Sequence, residues 1–186
     1  MLQFLIPTGL DQRNSYVSEV FAADQPHRLL FSGVELATAV MVMAAGLMAV
    51  DGALGGWAAV VAFGMFSVAD VALPMRCAPS RESGCPADNL WHTLTSALVH
   101  FSLFASMAAF IIAAHSAPRR WPLAGRWARW LLPVSMAAAI SSVGPYVGWP
   151  GGHGIAQRIH LVTVALWFFL LAAELRCRRT NGEGTA

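Results

Sequence analysis

Ionisable side chains occur at intervals within the otherwise apolar stretches of this sequence. They are Glu35, Asp70, His92, His100, Arg158 and His160. Charge inside a membrane helix is costly, so such residues usually face the bundle interior and have a partner or a function. His92, Ser96 and His100 are spaced four residues apart, which places them on one face of a helix. We therefore expect one polar pocket that gathers these side chains.

Three kinds of site would account for this set. In the first, the polar groups pair with one another and only hold helices together, for example Asp70 with His92 or Arg158. In the second, a metal ion, most simply zinc, activates water for the hydrolysis of a lipid-like substrate. Its candidate ligands are His92, His100, His160 and Asp70, and its candidate catalytic groups are Ser96, Glu35 and Asp70.

The third kind of site is a binding pocket for a lipid headgroup or a transported solute, in which Arg158 anchors an anion. A haem held between His100 and His160 is a variant of it, because two histidines at similar depth could ligate one iron. The sequence has no H-E-x-x-H spacing to support metal hydrolysis. A structural or ligand-binding role is therefore the leading prediction, and a role as an accessory subunit is a further alternative.

The composition argues against an ordinary soluble domain. Of the 186 residues, 56% are hydrophobic and only 12% are charged, whereas soluble domains carry roughly 25% charged residues. The mean hydropathy is +0.55. A lipid environment accounts for so much apolar surface better than a packed soluble core does. The net charge of +2 is too small to indicate a nucleic-acid partner.

Five stretches are long enough to cross a bilayer as helices, which takes about 20 apolar residues each. They are residues 29–50, 56–75, 92–115, 130–149 and 155–175, and they predict an all-α polytopic bundle that forms a single domain. The fourth stretch is weaker, because Pro133 and Pro145 interrupt it. Most tryptophans lie near predicted helix ends, as in an interfacial aromatic belt. Residues 1–28 form an N-terminal segment, whose short apolar start MLQFLIP suggests a helix that begins before Met1.

The distribution of arginines predicts the orientation. The link 116–129 contains Arg119, Arg120, Arg126 and Arg129, and the tail 176–186 contains Arg176, Arg178 and Arg179. Short arginine-rich loops stay in the cytoplasm, so both should lie on the inner side of a bacterial inner membrane. The turn at Asp51 is then also inside, whereas the segment 1–28 and the links 76–91 and 150–154 are outside. Membrane lipid is the expected partner.

Two cysteines, Cys77 and Cys85, lie in the link that this orientation places outside the cell. Thiols oxidise readily there, so we expect a disulfide that closes a small loop. Two unpaired thiols are the alternative, and zinc binding by this pair would need two more ligands. Cys177 lies among cytoplasmic arginines and should be a free thiol, although palmitoylation of such a cysteine is possible.

Three segments resemble a bacterial membrane family known as domain of unknown function 998, which is frequent in actinobacteria. The segments are YVSEVFAADQPHRLLFSGVEL at 16–36, SVADVALPMRCAPSRESGC at 67–85 and GIAQRIHLVTVALW at 154–167. The resemblance implies about six helices, the first just before the segment with Ser18 and Glu19. It carries over Ser18, Glu19, Asp70, Pro74, Cys77, Cys85, His92, Gln157 and Arg158. Among these, Glu19, Gln157 and Arg158 are candidates for ligand binding, and no reaction is implied.

Overall fold

Long apolar runs fold into helices because a helix satisfies its backbone hydrogen bonds internally. The structure is a computed structural model that describes residue 3 and residues 5–49, 53–86, 89–149 and 151–182, except for the side chains of residues 179, 181 and 182. Within these ranges the α-helices are α1 (Arg28–Met48), α2 (Leu54–Ala72), α3 (Leu90–Ser116), α4 (Pro122–Ser141) and α5 (His153–Gly182). The predicted turn at Asp51 lies outside the described residues.

Each helix packs against the next one along the chain, and consecutive helices run in opposite directions. A ring contact between Phe63 of α2 and Phe168 of α5, with centroids 5.0 Å apart, brings the last helix back onto the second. We call the end of the bundle that holds the two cysteines and the N-terminal segment the disulfide end. The opposite end, which holds the link from α3 to α4 and the last turns of α5, is the arginine end.

The helices confirm the predicted all-α polytopic bundle, with a difference at α4. Among the described residues, α1, α2, α3 and α5 are long and apolar enough to cross a membrane. The fourth predicted span was 130–149, but α4 begins at Pro122 and ends at Ser141. Proline is well tolerated at the first position of a helix, as at Pro122, because the backbone N–H that it lacks would have no hydrogen-bond partner there. Pro145 falls instead in a 3-10 helix, Gly144–Val147, that ends at Gly148 with a φ of 80°.

A buried aromatic cluster joins α2, α3, α5 and the residue that precedes α4, in the half toward the arginine end. Phe110 of α3 packs edge-on against Trp57 of α2 at 5.1 Å, against Trp121 at 5.0 Å and against Trp167 of α5 at 5.5 Å between ring centroids. Edge-to-face contacts add to the free energy gained by burying these large rings. All four side chains are at most 2% exposed. The predicted interfacial belt is therefore wrong for these three tryptophans, which form the core.

The start of α4 is fixed by a carboxylate from another helix. Glu174 of α5 is 1% exposed, and its Oε2 accepts a 2.7 Å hydrogen bond from the backbone N–H of Ala124. A negative charge at a helix N-terminus satisfies an unpaired N–H and complements the helix dipole. One turn further along α5, the Arg178 guanidinium lies 4.6 Å above the ring of Trp121. These contacts position α4 beside α5.

Helices α3 and α4 approach so closely that only glycine fits at one position. A Cβ added at Gly125 would lie 2.1 Å from the Cβ of Ala114. Small residues at such contacts let helix backbones pack tightly in lipid, where van der Waals contact is a main source of helix association. This contact sets the distance between α3 and α4 at the arginine end, and the two helices line the cleft described below.

Replacing Gly125 with alanine should therefore separate α3 from α4 and lower the free energy of unfolding by about 1–3 kcal/mol, as overpacking typically does. Thermal melting in detergent micelles would measure the change. Gly33→Ala in α1 is the matched control, because nothing lies within 4 Å of the added Cβ there. Equal melting temperatures for the two variants would contradict the close contact.

Candidate functional site: a polar cleft at the disulfide end

The N-terminal segment is held against the first turns of α5 by one arginine. Nη1 of Arg158 donates hydrogen bonds to the carbonyl oxygens of Gln12 at 2.7 Å, of Ser15 at 2.9 Å and of Gly154 at 2.9 Å. Nη2 lies 3.2 Å from Oε1 of Gln3. A guanidinium presents its donors in a fixed fork, which suits it to gathering several carbonyls. Arg158, a candidate anion anchor in the sequence, is thus engaged by backbone of the chain itself.

The neighbouring residues complete this attachment. Gln157 accepts a hydrogen bond through Oε1 from the backbone N–H of Val17. Gly154 lies directly under the segment, since a Cβ there would come within 2.5 Å of the carbonyl oxygen of Ser15 and 2.6 Å of that of Gln12. The backbone of the N-terminal segment can pass this close to α5 only because position 154 has no side chain.

A buried carboxylate ties the same segment to the disulfide loop. Glu19, in the 3-10 helix Val17–Phe21, is 1% exposed. Its Oε1 accepts from the N–H of Tyr16 at 2.8 Å, and its Oε2 accepts from the N–H of Ser80 at 3.0 Å and from the Ser80 hydroxyl. The Ser80 hydroxyl also lies 2.7 Å from that of Ser15. We call Glu19, Gln157 and Arg158, with their partners, the N-terminal clasp.

The loop that Glu19 reaches is closed by the predicted disulfide. Cys77 and Cys85 are bonded, with their Cα atoms 5.9 Å apart, and this confirms the pairing expected from the sequence. The backbone N–H of Ala23 donates to the carbonyl of Met75 at 2.8 Å, which is a second contact between segment and loop. Cys177 is a free, exposed thiol.

Asp70 joins α2 to α3. Its Oδ1 accepts hydrogen bonds from the hydroxyls of Thr95 at 2.6 Å and of Ser96 at 2.8 Å. Nδ1 of His92 lies 3.2 Å from the same oxygen but is not aligned for a hydrogen bond, so the contact is an ion pair only when the imidazole is protonated. Glu35 of α1 lies within electrostatic range of Asp70. The predicted Asp70–His92 proximity is thereby present in the structure.

His100 and His160 form a second polar group, which begins about one helical turn beyond Ser96 on α3. Their rings stack with centroids 4.4 Å apart and planes 14° apart. Nδ1 of His100 lies 2.5 Å from the carbonyl oxygen of Ser96, and since a carbonyl only accepts, this nitrogen carries the proton. Nδ1 of His160 lies 2.9 Å from the hydroxyl of Ser135, which accepts a 2.8 Å hydrogen bond from Thr163.

The two groups meet at Ser96, and together they do not form the metal site considered above. The Ser96 hydroxyl donates a hydrogen bond to Asp70, and the Ser96 carbonyl oxygen accepts one from Nδ1 of His100. In the described part of the chain, no three His, Cys, Asp or Glu side chains are grouped closely enough to hold a metal ion. The rings of His100 and His160 are stacked, so their nitrogen lone pairs lie in two nearly parallel planes and do not point at one another. The rings as placed therefore do not ligate one iron between them.

A cleft of about 460 Å³ lies beside this polar network, between α3, α4 and the N-terminal segment. Its apolar walls are formed by Phe101, Phe104, Met136, Ala139 and Ile140, and its polar end by Ser18, His92, Ser96, His100 and Gln157. Phe101 is 67% exposed and Ile140 is 68% exposed, so the mouth of the cleft opens between α3 and α4 on the apolar outer surface of the bundle. Ligand pockets commonly combine apolar walls with a few polar groups in this way.

Tyr16 closes the cleft at the disulfide end. Its hydroxyl donates a 2.8 Å hydrogen bond to the carbonyl oxygen of Ser142, just beyond α4. Burial raises the pKa of Tyr16 above its ordinary value, and the nearby Tyr146 and Glu19 side chains add to the rise. The hydroxyl therefore keeps its proton at physiological pH, and the clasp stays attached to α4.

Several residues that hold elements together, at either end of the bundle, were missed in the sequence. Ser80, Ser135, Thr163 and Glu174 were not among the candidates, although each holds two elements together. Hydroxyl residues are common in membrane helices, so Ser135 and Thr163 do not stand out. Glu174 is the exception, since a carboxylate at the end of an apolar run is unusual enough to be noticed.

Replacing Glu19 with glutamine should destabilise the clasp. The amide nitrogen would face the N–H of Tyr16 or of Ser80, and a buried donor without an acceptor costs about 1–3 kcal/mol. We expect a lower melting temperature in detergent and faster proteolysis within residues 5–21.

Glu82→Gln, at an exposed carboxylate of the same loop, is the control and should melt like the wild type within about 0.5 kcal/mol. Unchanged proteolysis of the segment in Glu19→Gln would show that the clasp does not depend on this carboxylate.

Comparison with known proteins assigns the chain to a family. The family model described as Protein of unknown function (DUF998) matches residues 1–174, which include the clasp, the polar network and the cleft. No curated protein and no solved structure matches the chain. The match confirms the resemblance stated from the three sequence segments. The chain therefore belongs to the DUF998 family.

Proposed function

We propose that this chain is a multi-pass protein of the bacterial inner membrane that binds a lipid-like amphiphile in the cleft between α3 and α4. The observation that carries the proposal is the shape of the cleft: apolar walls, a mouth on the apolar surface and a polar end formed by His92, Ser96 and His100. An amphiphile could enter sideways from one leaflet, with its head on the polar end and its chain between Phe101 and Ile140.

The distribution of arginines supports an orientation in which the disulfide end faces outward. Arg119, Arg120, Arg126 and Arg129 lie at the arginine end with Arg176 and Arg178. Short arginine-rich segments stay in the cytoplasm. The disulfide belongs on the oxidising side of the membrane, which is the opposite side, so the two criteria agree. The cleft then opens toward the outer leaflet, and the C-terminus is cytoplasmic.

Binding is favoured over hydrolysis by the way the hydroxyl groups are used. The hydroxyl of Ser96 donates to the Asp70 carboxylate, and no imidazole nitrogen accepts its proton. Ser135 does lie beside an imidazole, but it is completely buried and does not line the cleft. A serine nucleophile needs a base at its hydroxyl and access to substrate. Ser96 has the access and Ser135 has the base, but neither has both.

Filling the cleft should abolish binding. Ala139→Trp places a large ring between α3 and α4, and we expect much less lipid to be retained by the purified protein during delipidation, measured by native mass spectrometry. Ala165→Trp is the matched control, because Ala165 lines a groove on the outer face of α5 instead. Equal lipid retention by the two variants would contradict the proposal. Stoichiometric zinc that is lost in His100→Ala or His160→Ala would favour the metal-dependent hydrolase instead.

The orientation has its own test with a thiol reagent that cannot cross lipid. We expect Cys177 to react only after the cells are opened, and Cys77 and Cys85 to react on intact cells once an impermeant reductant has cleaved their disulfide. A Cys177→Ser variant identifies the first signal. Labelling of Cys177 on intact cells would reverse the orientation.

A further inference from the structure

We infer that the occupant of the cleft is an uncharged lipid whose head is a hydroxyl group, such as a diacylglycerol or a long-chain alcohol, rather than a phospholipid. This inference rests on the proposed function and specifies its ligand. It follows from the residues that line the cleft, from the hydrogen bond between His100 and Ser96 and from the position of Arg158.

The described residues that line the cleft include no arginine, lysine, aspartate or glutamate. Arg158 is the anion anchor considered from the sequence, yet its guanidinium binds backbone carbonyls and it lines the groove along α5 instead of the cleft. Behind Ser96 lies the carboxyl group of Asp70, which accepts the Ser96 hydroxyl. A phosphate head would therefore lose its hydration without gaining an arginine or a lysine, which is costly in an apolar site.

The polar end offers both acceptors and donors, so it suits a ligand group that itself donates and accepts hydrogen bonds. Nδ1 of His100 gives its proton to the carbonyl of Ser96, so in the neutral ring Nε2 is the nitrogen that can accept from a ligand. The Ser18 hydroxyl and the amide nitrogen of Gln157 line the same end as donors, since Oε1 of Gln157 already accepts from Val17. A hydroxyl head satisfies both sides at once. A ketone or an ester head group would offer His100 no hydrogen-bond donor. A carboxylate head group would be repelled by the Asp70 carboxylate.

The apolar walls fit the rest of such a molecule. Phe104 of α3 and Met136 of α4 line the cleft, as do Phe101 and Ile140, which are also exposed on the outer surface. A hydrocarbon chain lying there would leave the bundle directly into the acyl region of the membrane, so the ligand need not be fully enclosed. The volume of about 460 Å³ is in the range of ligand pockets.

Photo-crosslinking with matched lipids tests the inference. The wild-type protein in lipid nanodiscs would receive a diacylglycerol that carries a diazirine on one acyl chain, or the phosphatidic acid with the same chains. We expect the diacylglycerol to label peptides that contain residues 96–104 and 136–143 about tenfold more than the phosphatidic acid. A tenfold difference in affinity corresponds to the free energy that is commonly lost when one buried polar group has no hydrogen-bond partner. Labelling of residues 161–169 on the outer face of α5 reports unspecific lipid contact.

Two variants test which residues select the lipid head group. His100→Phe keeps a ring to stack on His160 but removes the acceptor, so labelling by diacylglycerol should fall about tenfold while labelling by phosphatidic acid stays low. Its melting temperature shows whether it folds. Ser18→Ala removes only one donor and leaves the bundle core untouched, and we expect a fall of about threefold, as for one modest hydrogen bond.

The outcomes separate this inference from the proposed function. Equal labelling of the cleft by both lipids, or stronger labelling by phosphatidic acid, overturns the choice of head and leaves lipid binding in place. An unchanged diacylglycerol signal in a folded His100→Phe variant overturns the role of the imidazole. If neither lipid labels the cleft above the outer face of α5, both the inference and the proposed function fail.

Discussion

A polar group buried in an apolar bundle must find its partner within the protein, because lipid offers none. The disulfide end of this chain is organised by that constraint. Glu19 is almost completely buried, and it accepts hydrogen bonds from the backbone of its own 3-10 helix and from the disulfide loop. Arg158 collects the carbonyls of the N-terminal segment. These two residues attach the segment and the loop, neither of which forms a long helix, to the end of the bundle.

The two halves of the bundle differ in how they are stabilised. Toward the arginine end, the rings of Trp57, Phe110, Trp121 and Trp167 fill the interior, and Gly125 lets α3 and α4 touch. Toward the disulfide end, the interior contains hydroxyl, imidazole and carboxylate groups, and α3 and α4 separate to leave the cleft. Close packing of rings favours one rigid arrangement. The closely packed half thereby holds the two walls of the cleft at a fixed spacing, as the proposed binding of a lipid there requires.

Within the polar half, Ser96 has a central position. Its side chain completes the hydrogen bonding of Asp70, and its carbonyl fixes which nitrogen of His100 carries the proton. The Asp70 carboxylate thus accepts the Ser96 hydroxyl, and Nε2 is the nitrogen of His100 that is left for other partners. Residues that suggest a metal site in the sequence are arranged in the fold as hydrogen-bonded groups around Ser96. Asp70 belongs to this arrangement but does not line the cleft.

The sequence by itself determined the features that depend on one element at a time. The lengths of the apolar runs predicted helices α1, α2, α3 and α5, the spacing of His92, Ser96 and His100 predicted their common face, and the loop cysteines predicted the disulfide. The placement of α4 was wrong by about two turns, because two prolines in one run do not reveal which of them starts a helix and which one follows its end.

Only the tertiary structure decided how these elements meet. A residue's position in the sequence fixes the face of its own helix, but the rotation and tilt of each helix against its neighbours decide which faces are in contact. This is why the stacking of His100 on His160 and the capping of α4 by Glu174 could not be predicted. Arg158 shows the same limit, since a guanidinium that binds backbone carbonyls of a distant segment leaves no pattern in the sequence. Its partners are chosen by the path of the chain and not by residue type.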